Sequence, residues 1–200
     1  MKELGYRLIG QTPLLMHNNN MANPLNAYTQ HMKPLTAKRN KTDQDYMEIA
    51  RVEWEAGLYL HDGVVALPAE NIEACFLRAA KRTKNGQKYQ SGAMVAEDWY
   101  ELDYKGPKIK VNNTSTIPNA ELDKFYDIYK HQGMVKVSNN QVLRTRPIFH
   151  EWSLLVTILI DEQVFDERTM TAIIEDAGRF VGLCEKRPRL GSFTPHVGGG

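Results

Sequence analysis

Hydrophobic residues recur along the chain with two periods, which separate the predicted helices from the predicted strands. Apolar residues three and four apart indicate amphipathic helices, and short apolar runs indicate strands. The strongest strand is 152–160, which is apolar on both faces and is therefore predicted to be central in its sheet. In chain order, the framework consists of strand 4–10, helix 69–84, strand 152–160, helix 167–181 and strand 191–197.

Local signals predict further elements between the framework elements. Thr42 and Asp45 form a variant capping box at the start of a helix over 42–57. The turn His61-Asp62-Gly63 predicts a hairpin, because Asp-Gly suits a type I′ turn. The other predicted elements are strands within 92–111, a short helix over 119–133 and a hairpin around Ser138-Asn139-Asn140.

The segment 14–41 differs from the rest of the chain. It is rich in asparagine, contains Pro24 and Pro34, and shows no convincing period. We therefore predict that it lacks regular structure, which in a segment of this length indicates either a functional or a mobile region.

The order of the framework elements predicts an α+β fold. With strands between the two helices, the chain reads βαββαβ, which is the order of a ferredoxin-like (RRM-like) fold. We expect a single domain over 1–200, with an inserted arm and helix over 11–57 and inserted strands, short helix and hairpin over 92–148. Both framework helices should pack on one face of an antiparallel sheet, which leaves the other face free for a ligand.

Composition excludes several classes of protein. The 200 residues are 42% hydrophobic and 24% charged, which is typical of a packed domain. The 25 basic and 24 acidic residues leave a net charge of +1, so a charged partner needs a local patch. Cys75 and Cys184 are too few and too far apart for a disulfide framework or a cysteine-rich zinc site. No apolar leader and no run of 18 apolar residues occur, so we expect a cytoplasmic protein that does not enter a membrane.

Catalytic signals are scarce. The six histidines are scattered singly, and no phosphate-binding or nucleophile motif occurs. We therefore predict no catalytic residues, no metal site and no cofactor. One alternative stays open, because His17 could act as the general base of a metal-independent endoribonuclease.

Basic residues form local clusters in this neutral chain. Clusters of this kind bind phosphate backbones, and aromatic side chains among them stack on bases. The predicted nucleic-acid-binding residues are Lys38, Arg39, Lys41, Arg78, Lys81, Arg82, Lys84, Lys88, Tyr89, Arg144, Arg146, Lys186, Arg187 and Arg189.

Acidic residues are segregated as well. Glu97, Asp98, Glu101 and Asp103 form a run that contains no basic residue. Acidic and basic faces can pair between identical protomers, and a head-to-tail contact that does not close gives a filament. We therefore expect a homo-oligomer in which Arg144 and Arg146 contact this acidic run of the next copy.

Three segments carry a family resemblance. They are IGQTPLLMH over 9–17, VALPAENIEACFLR over 65–78 and GLCEKRPRLGSF over 182–193. These resemble the opening strand, the strand-to-helix junction and the glycine-rich loop of the RAMP superfamily. That superfamily comprises ferredoxin-like RNA-binding proteins and includes backbone subunits of CRISPR effector complexes. The pattern also resembles small proteins of bacteriophages and prophages.

The chain departs from the family pattern at two places. Ala69 and Glu70 stand where the family has Gly-Ser, so contact between backbone amides and phosphate is in doubt there. The last loop has Arg187-Pro188-Arg189 in place of several glycines, which makes it stiffer and more dependent on side-chain charge.

These observations support three hypotheses. The first is a non-enzymatic protein that binds single-stranded DNA or RNA and assembles along the strand. The second is a structural or interaction protein, such as a phage assembly factor or an inhibitor of a host complex, whose acidic run mimics phosphate. The third is the metal-independent endoribonuclease.

Overall fold

The structure, a computed structural model, describes residues 1–112 and 116–198 and has a mixed α+β architecture with antiparallel sheets. The chain divides into two compact units. The first unit comprises Met1–Leu14, Ala66–Gly106 and Phe149–Gly200, and the second comprises Leu15–Val65 and Pro107–Ile148. The sequence predicted one domain with insertions at 11–57 and 92–148. In the structure, most of the residues in these two insertions belong to the second compact unit.

Within the described residues there are ten strands and six α-helices. The strands are β1 Lys2–Gly10, β2 Leu14–Leu15, β3 Leu60–His61, β4 Val64–Pro68, β5 Ala93–Val95, β6 Trp99–Tyr104, β7 Lys130–Val137, β8 Asn140–Phe149, β9 Trp152–Ile160 and β10 Phe193–Val197. The helices are α1 Ala27–Ala37, α2 Asp43–Gly57, α3 Ala69–Arg82, α4 Gly86–Gly92, α5 Asp123–Tyr129 and α6 Glu167–Asp176. Two 3₁₀ turns, Asn19–Ala22 and Ala120–Leu122, and a π-helical turn, Ala177–Val181, complete the elements.

The first unit is built around β9. Its sheet has the order β10-β1-β9-β6-β4, with every pair antiparallel, and β5 also pairs with β9. Leu154 of β9 lies opposite Leu8 of β1 on one side and Leu102 of β6 on the other. The prediction that 152–160 is a central strand is therefore confirmed.

The core of the first unit lies on one face of this sheet. Alternate β9 residues such as Val156 and Ile158 are fully buried, and so are Phe76 of α3 and Ile174 of α6. The opposite face of β9 is partly open, since Leu155 is 44% exposed. Leu155 is apolar but exposed because α3 and α6 cover the opposite face of the sheet.

The second unit is organised by α2. The capping box of Thr42 and Asp45 is present, and the helix ends at Gly57, as the sequence predicted. The last two turns of α2 are buried, and the Trp54 indole N–H donates to the Tyr129 carbonyl at 3.1 Å. The hairpin of β7 and β8 belongs to this unit, with a two-residue turn at Ser138-Asn139.

The segment 14–41 contains regular structure that the sequence did not predict. Helix α1 begins after Asn26, whose side chain accepts the Tyr28 N–H at 3.0 Å, and it continues through Pro34. Proline removes one hydrogen bond from a helix interior. Burial of Met32 and Leu35 offsets that loss. Because only two apolar residues are buried, the sequence shows no helical period that would predict α1.

Two predicted helices end earlier in the structure than the sequence predicted. The predicted helix over 119–133 is a 3₁₀ turn followed by α5, and the chain is already a strand at Lys130. The predicted helix over 167–181 is α-helical only to Asp176 and continues as a π-helical turn. The turn at Asp62-Gly63 has φ values of 48° and 76°, which suit the predicted type I′ hairpin.

No helix within the described ranges is long and apolar enough to cross a membrane.

A closed loop over 182–191 connects the π-helical turn to β10. The Leu183 N–H donates to the Gly191 carbonyl, and the Gly191 N–H donates to the Pro13 carbonyl, at 2.8 and 2.9 Å. Gly191 has a φ of +72°, and a Cβ there would lie 1.9 Å from the Leu183 oxygen. Only glycine fits this position, so the loop is closed by a backbone contact that no side chain permits.

We expect Gly191→Ala to lower the free energy of unfolding by about 2 kcal/mol or more, from the positive φ and the collision with Leu183. Gly5→Ala is the matched control, because a Cβ at Gly5 meets nothing within 4 Å, and it should stay within about 0.5 kcal/mol of wild type. Urea unfolding of the three proteins measures both effects. Equal stability of the two variants would contradict the loop closure described above.

Candidate nucleic-acid interface

The second half of α3 presents basic side chains on its outer face. Arg78, Lys81 and Arg82 are exposed, whereas Cys75 and Phe76 on the inner face are buried. Lys81 and Arg82 lie in the last turn, where cations interact favourably with the negative end of the helix dipole. The helix therefore keeps these charges at the surface at little cost to its stability.

The π-helical turn after α6 brings an aromatic ring to the same surface. Gly178 allows this turn to contact β10, since a Cβ there would lie 2.0 Å from the Phe193 oxygen. The neighbouring Arg179 and Phe180 are exposed, Phe180 by 44%. The Arg82 Cζ lies 4.6 Å from the centroid of the Phe180 ring, and the Arg179 Cζ lies 5.9 Å from it.

The closed loop presents Lys186, Arg187 and Arg189, all of which are exposed. Burial raises the pKa of the Cys75 thiol to about 12, while the charges of Arg187 and Arg78 act in the opposite direction. Both guanidinium groups thus lie close enough to Cys75 to act on the same thiol. This places Arg187 of the loop close to α3.

We call this set the cationic surface. It consists of Arg78, Lys81, Arg82, Arg179, Lys186, Arg187 and Arg189. Within residues 1–112 and 116–198, no carboxylate forms an ion pair with Arg78, Lys81, Arg187 or Arg189. Their charge is therefore available to an anionic ligand.

Other predicted residues of the first unit are placed differently. Lys84 and Lys88 are exposed, in the turn after α3 and in α4. Tyr89, in contrast, is only 4% exposed, so its ring cannot stack on a base as the sequence predicted. The Tyr89 hydroxyl has no hydrogen-bond partner in the described part of the chain, and burial raises its pKa. It is a core residue because α4 turns it inward.

The basic residues before α2 secure that helix. The Lys38 Nζ lies 2.5 Å from the Asp45 Oδ1, and the Lys41 Nζ donates to the Lys38 carbonyl at 2.8 Å. Hydrogen bonds from Lys38 and Thr42 lower the pKa of Asp45 to about 2. Arg39 is exposed. Of these three predicted residues, Lys38 therefore has a structural role in the second unit.

Arg144 also has a partner that the sequence did not indicate. Its guanidinium pairs with the carboxylate of Glu53, which is 8% exposed and also accepts the Thr145 N–H at 3.0 Å. Arg144 thus neutralises a buried charge of α2. Arg146 lies two residues further along β8 and is half-buried.

A groove of about 520 Å³ lies beside these residues in the second unit. It is lined by the asparagine-rich segment at His17 and Asn19 and by the hairpin at Lys136, Arg144 and Arg146. His17 is exposed in this groove, so the candidate base of the endoribonuclease hypothesis lies among cations. In the described ranges no group of three or more His, Cys, Asp or Glu side chains could hold a metal ion.

The acidic run lies on and before β6 in the first unit. Glu97, Asp98 and Glu101 are exposed. Glu101 and Asp103 alternate with the buried Tyr100 and Leu102, so both carboxylates project from the open face of the sheet. Arg7 also lies on that face, where its guanidinium donates to the Ser153 hydroxyl at 3.3 Å, but the neighbouring carboxylates would repel a phosphate backbone.

Sequence reasoning missed Arg179 and Phe180. The sequence predicts a continuous helix over 167–181 that contains both residues. A large aromatic residue on the polar side of such a helix is the signal that could have indicated them, because it has no place in the core.

Comparison with known proteins found no protein family and no curated protein that this chain matches. The resemblance to the RAMP superfamily therefore stays a prediction. The functional argument rests on the geometry and charge of the chain's own residues.

We expect Arg144→Ala to lower the free energy of unfolding by about 1–3 kcal/mol, because it leaves the Glu53 carboxylate buried without its partner. Lys136→Ala is the matched control on the same hairpin, because Lys136 is exposed, and it should cost less. Replacing Glu53 by Gln in the Arg144→Ala background should recover part of the loss, since no buried charge then remains. Thermal unfolding measures all four proteins, and equal effects of Arg144→Ala and Lys136→Ala would contradict the structural role of Arg144.

Proposed function

We propose that this is a non-enzymatic protein that binds single-stranded nucleic acid in the cytoplasm and assembles along the strand. The cationic surface of the first unit is the observation that carries the proposal. Seven exposed cations lie on α3, the π-helical turn and the closed loop, and two of them contact the exposed Phe180 ring, in a chain whose net charge is only +1. A local surface of this kind can release counterions from a phosphate backbone without a high overall charge.

The proposal extends to the fold of the first unit, which we take as a ferredoxin-like core. The strand order β10-β1-β9-β6 supports this assignment, because a βαββαβ chain places its fourth strand beside the first and its third beside the second. The crossovers through α3 and α6 supply its two helices. On this basis the ligand lies at the helix and loop end of the core, since the open sheet face carries Glu101 and Asp103.

The open sheet face has a different use in the proposal. The exposed carboxylates of Glu97, Asp98 and Glu101 can meet basic residues of another copy. The expected contact through both Arg144 and Arg146 needs revision, because Arg144 already pairs with Glu53. The exposed Lys136 of the same hairpin is a cation that can meet the acidic run of the next protomer.

Binding should depend steeply on salt. If about four phosphates are neutralised per protomer, the slope of log K against log salt is near −3. Arg187→Glu with Arg189→Glu should reduce the magnitude of this slope by about 2, because each phosphate contact contributes about 1. Fluorescence anisotropy with single-stranded DNA and RNA of mixed sequence measures the slope.

A variant of equal charge change controls this experiment. Arg168→Glu with Lys33→Glu alters two exposed cations outside the cationic surface and outside the assembly contact, and should leave the slope near the wild-type value. A slope near zero for the wild type would overturn the proposal. Denaturing gels of the same samples should show intact RNA. RNA cut by the wild type and left whole by His17→Ala would favour the endoribonuclease, in keeping with the position of His17 in its groove.

Assembly should give species larger than a dimer that dissociate as salt rises, because exposed ion pairs are screened. Glu97→Lys, Asp98→Lys and Glu101→Lys together should abolish these species without preventing binding to a strand. Mass photometry with and without an oligonucleotide measures both. A strict monomer under all conditions would contradict the assembly, and assembly without any nucleic-acid binding would favour the structural or interaction protein.

A further inference from the structure

Phe180 occupies an unusual position for a phenylalanine. It is 44% exposed in a turn whose neighbours Gly178 and Val181 are buried, so the core does not account for the ring. π-helical turns are rare, and they occur frequently at functional sites. Here the widened turn places Phe180 at the surface directly after Arg179.

Two guanidinium groups lie against this ring. Arg82 from α3 is the nearer, with its Cζ 4.6 Å from the ring centroid, and Arg179 lies 5.9 Å away. An exposed cation–π contact contributes about 0.5–1 kcal/mol, which helps to hold the ring in one orientation. These contacts hold the ring at the surface before any ligand arrives, where Phe180 remains 44% exposed.

The other cations of the cationic surface indicate what the Phe180 ring binds. Arg78, Lys81, Arg187 and Arg189 belong to the same cationic surface, and no carboxylate in the described ranges pairs with them. A ligand that suits this site must combine a flat aromatic group with several negative charges. An unpaired nucleobase on its phosphate backbone has both properties.

We propose that Phe180 is a base-stacking residue, on which one unpaired nucleobase stacks while the surrounding cations bind the adjacent phosphates. This inference rests on the proposed function and adds to it the feature that is recognised, an exposed base. A duplex hides its base faces, so the site selects single strands without reading their sequence.

Two fluorescent probes separate stacking from charge. One is an oligothymidylate of about twelve nucleotides, and the other is an abasic strand of the same length and charge. The wild type should bind the oligothymidylate more tightly by about 5- to 150-fold, the range expected for one stacked base. Phe180→Ala should reduce this ratio to near one and leave the affinity for the abasic strand unchanged.

Three further variants define the result. Phe180→Leu should behave like Phe180→Ala, because it restores apolar bulk without an aromatic face, whereas Phe180→Trp should retain the ratio and show quenched fluorescence with the base-bearing probe. Tyr46→Ala removes a comparably exposed ring from the second unit and should leave the ratio at its wild-type value.

The outcomes distinguish this inference from the proposed function. Salt-dependent binding of both probes with equal affinity by the wild type, or a ratio that Phe180→Ala does not change, overturns the stacking role and leaves the charge-based function standing. A failure of the wild type to bind either probe overturns both.

Discussion

The pairing of β9 with strands on both of its edges is the constraint on which the first unit depends. Strand β9 pairs with β1, at the start of the chain, and with β5 and β6, which precede β9 by some fifty residues. Once β1 lies against β9, β10 can pair only with the other edge of β1, where Phe193 meets Gly10. The chain must therefore return from α6 to that end of β1, and the closed loop makes this connection. The position of the cationic surface thus follows from strand pairing.

A buried charge network has the corresponding role in the second unit. Glu55 of α2 is 1% exposed, and both of its carboxylate oxygens accept the Asn119 N–H at 3.0 Å. Arg51 pairs with Glu55 at 2.8 Å and with Asp123 at 2.6 Å. Burial raises the pKa of Glu55, while the Asn119 hydrogen bonds and Arg51 oppose that shift. Removing one member would leave another buried and unpaired, so the network fixes the segment around Asn119 against α2.

Local patterns explain which elements could be predicted. The capping box of α2, the Asp-Gly turn and the apolar run of β9 are each encoded within a few adjacent residues, and each is present. The sequence did not predict helix α1, because Pro34 and the asparagines weaken every local helix signal. Its contacts within the second unit stabilise the helix. The π-helical turn could not be predicted, because it depends on the close contact between Gly178 and Phe193 of β10, which is distant in sequence.

The candidate site shows why the sequence alone does not reveal which basic residues are available to bind a ligand. Lys38 and Arg144 look as accessible as Arg187, yet Asp45 and Glu53 neutralise the first two. Spacing could not identify Glu53 as the partner of Arg144, since Glu53 precedes Arg144 by some ninety residues. A cation that stabilises a buried carboxylate cannot also release counterions from a strand, because moving it would leave that carboxylate unpaired. The effective charge of each cluster is therefore the charge that remains after such pairs are removed. By that measure the first unit retains its basic residues around Phe180, and the second unit retains fewer than its sequence suggests.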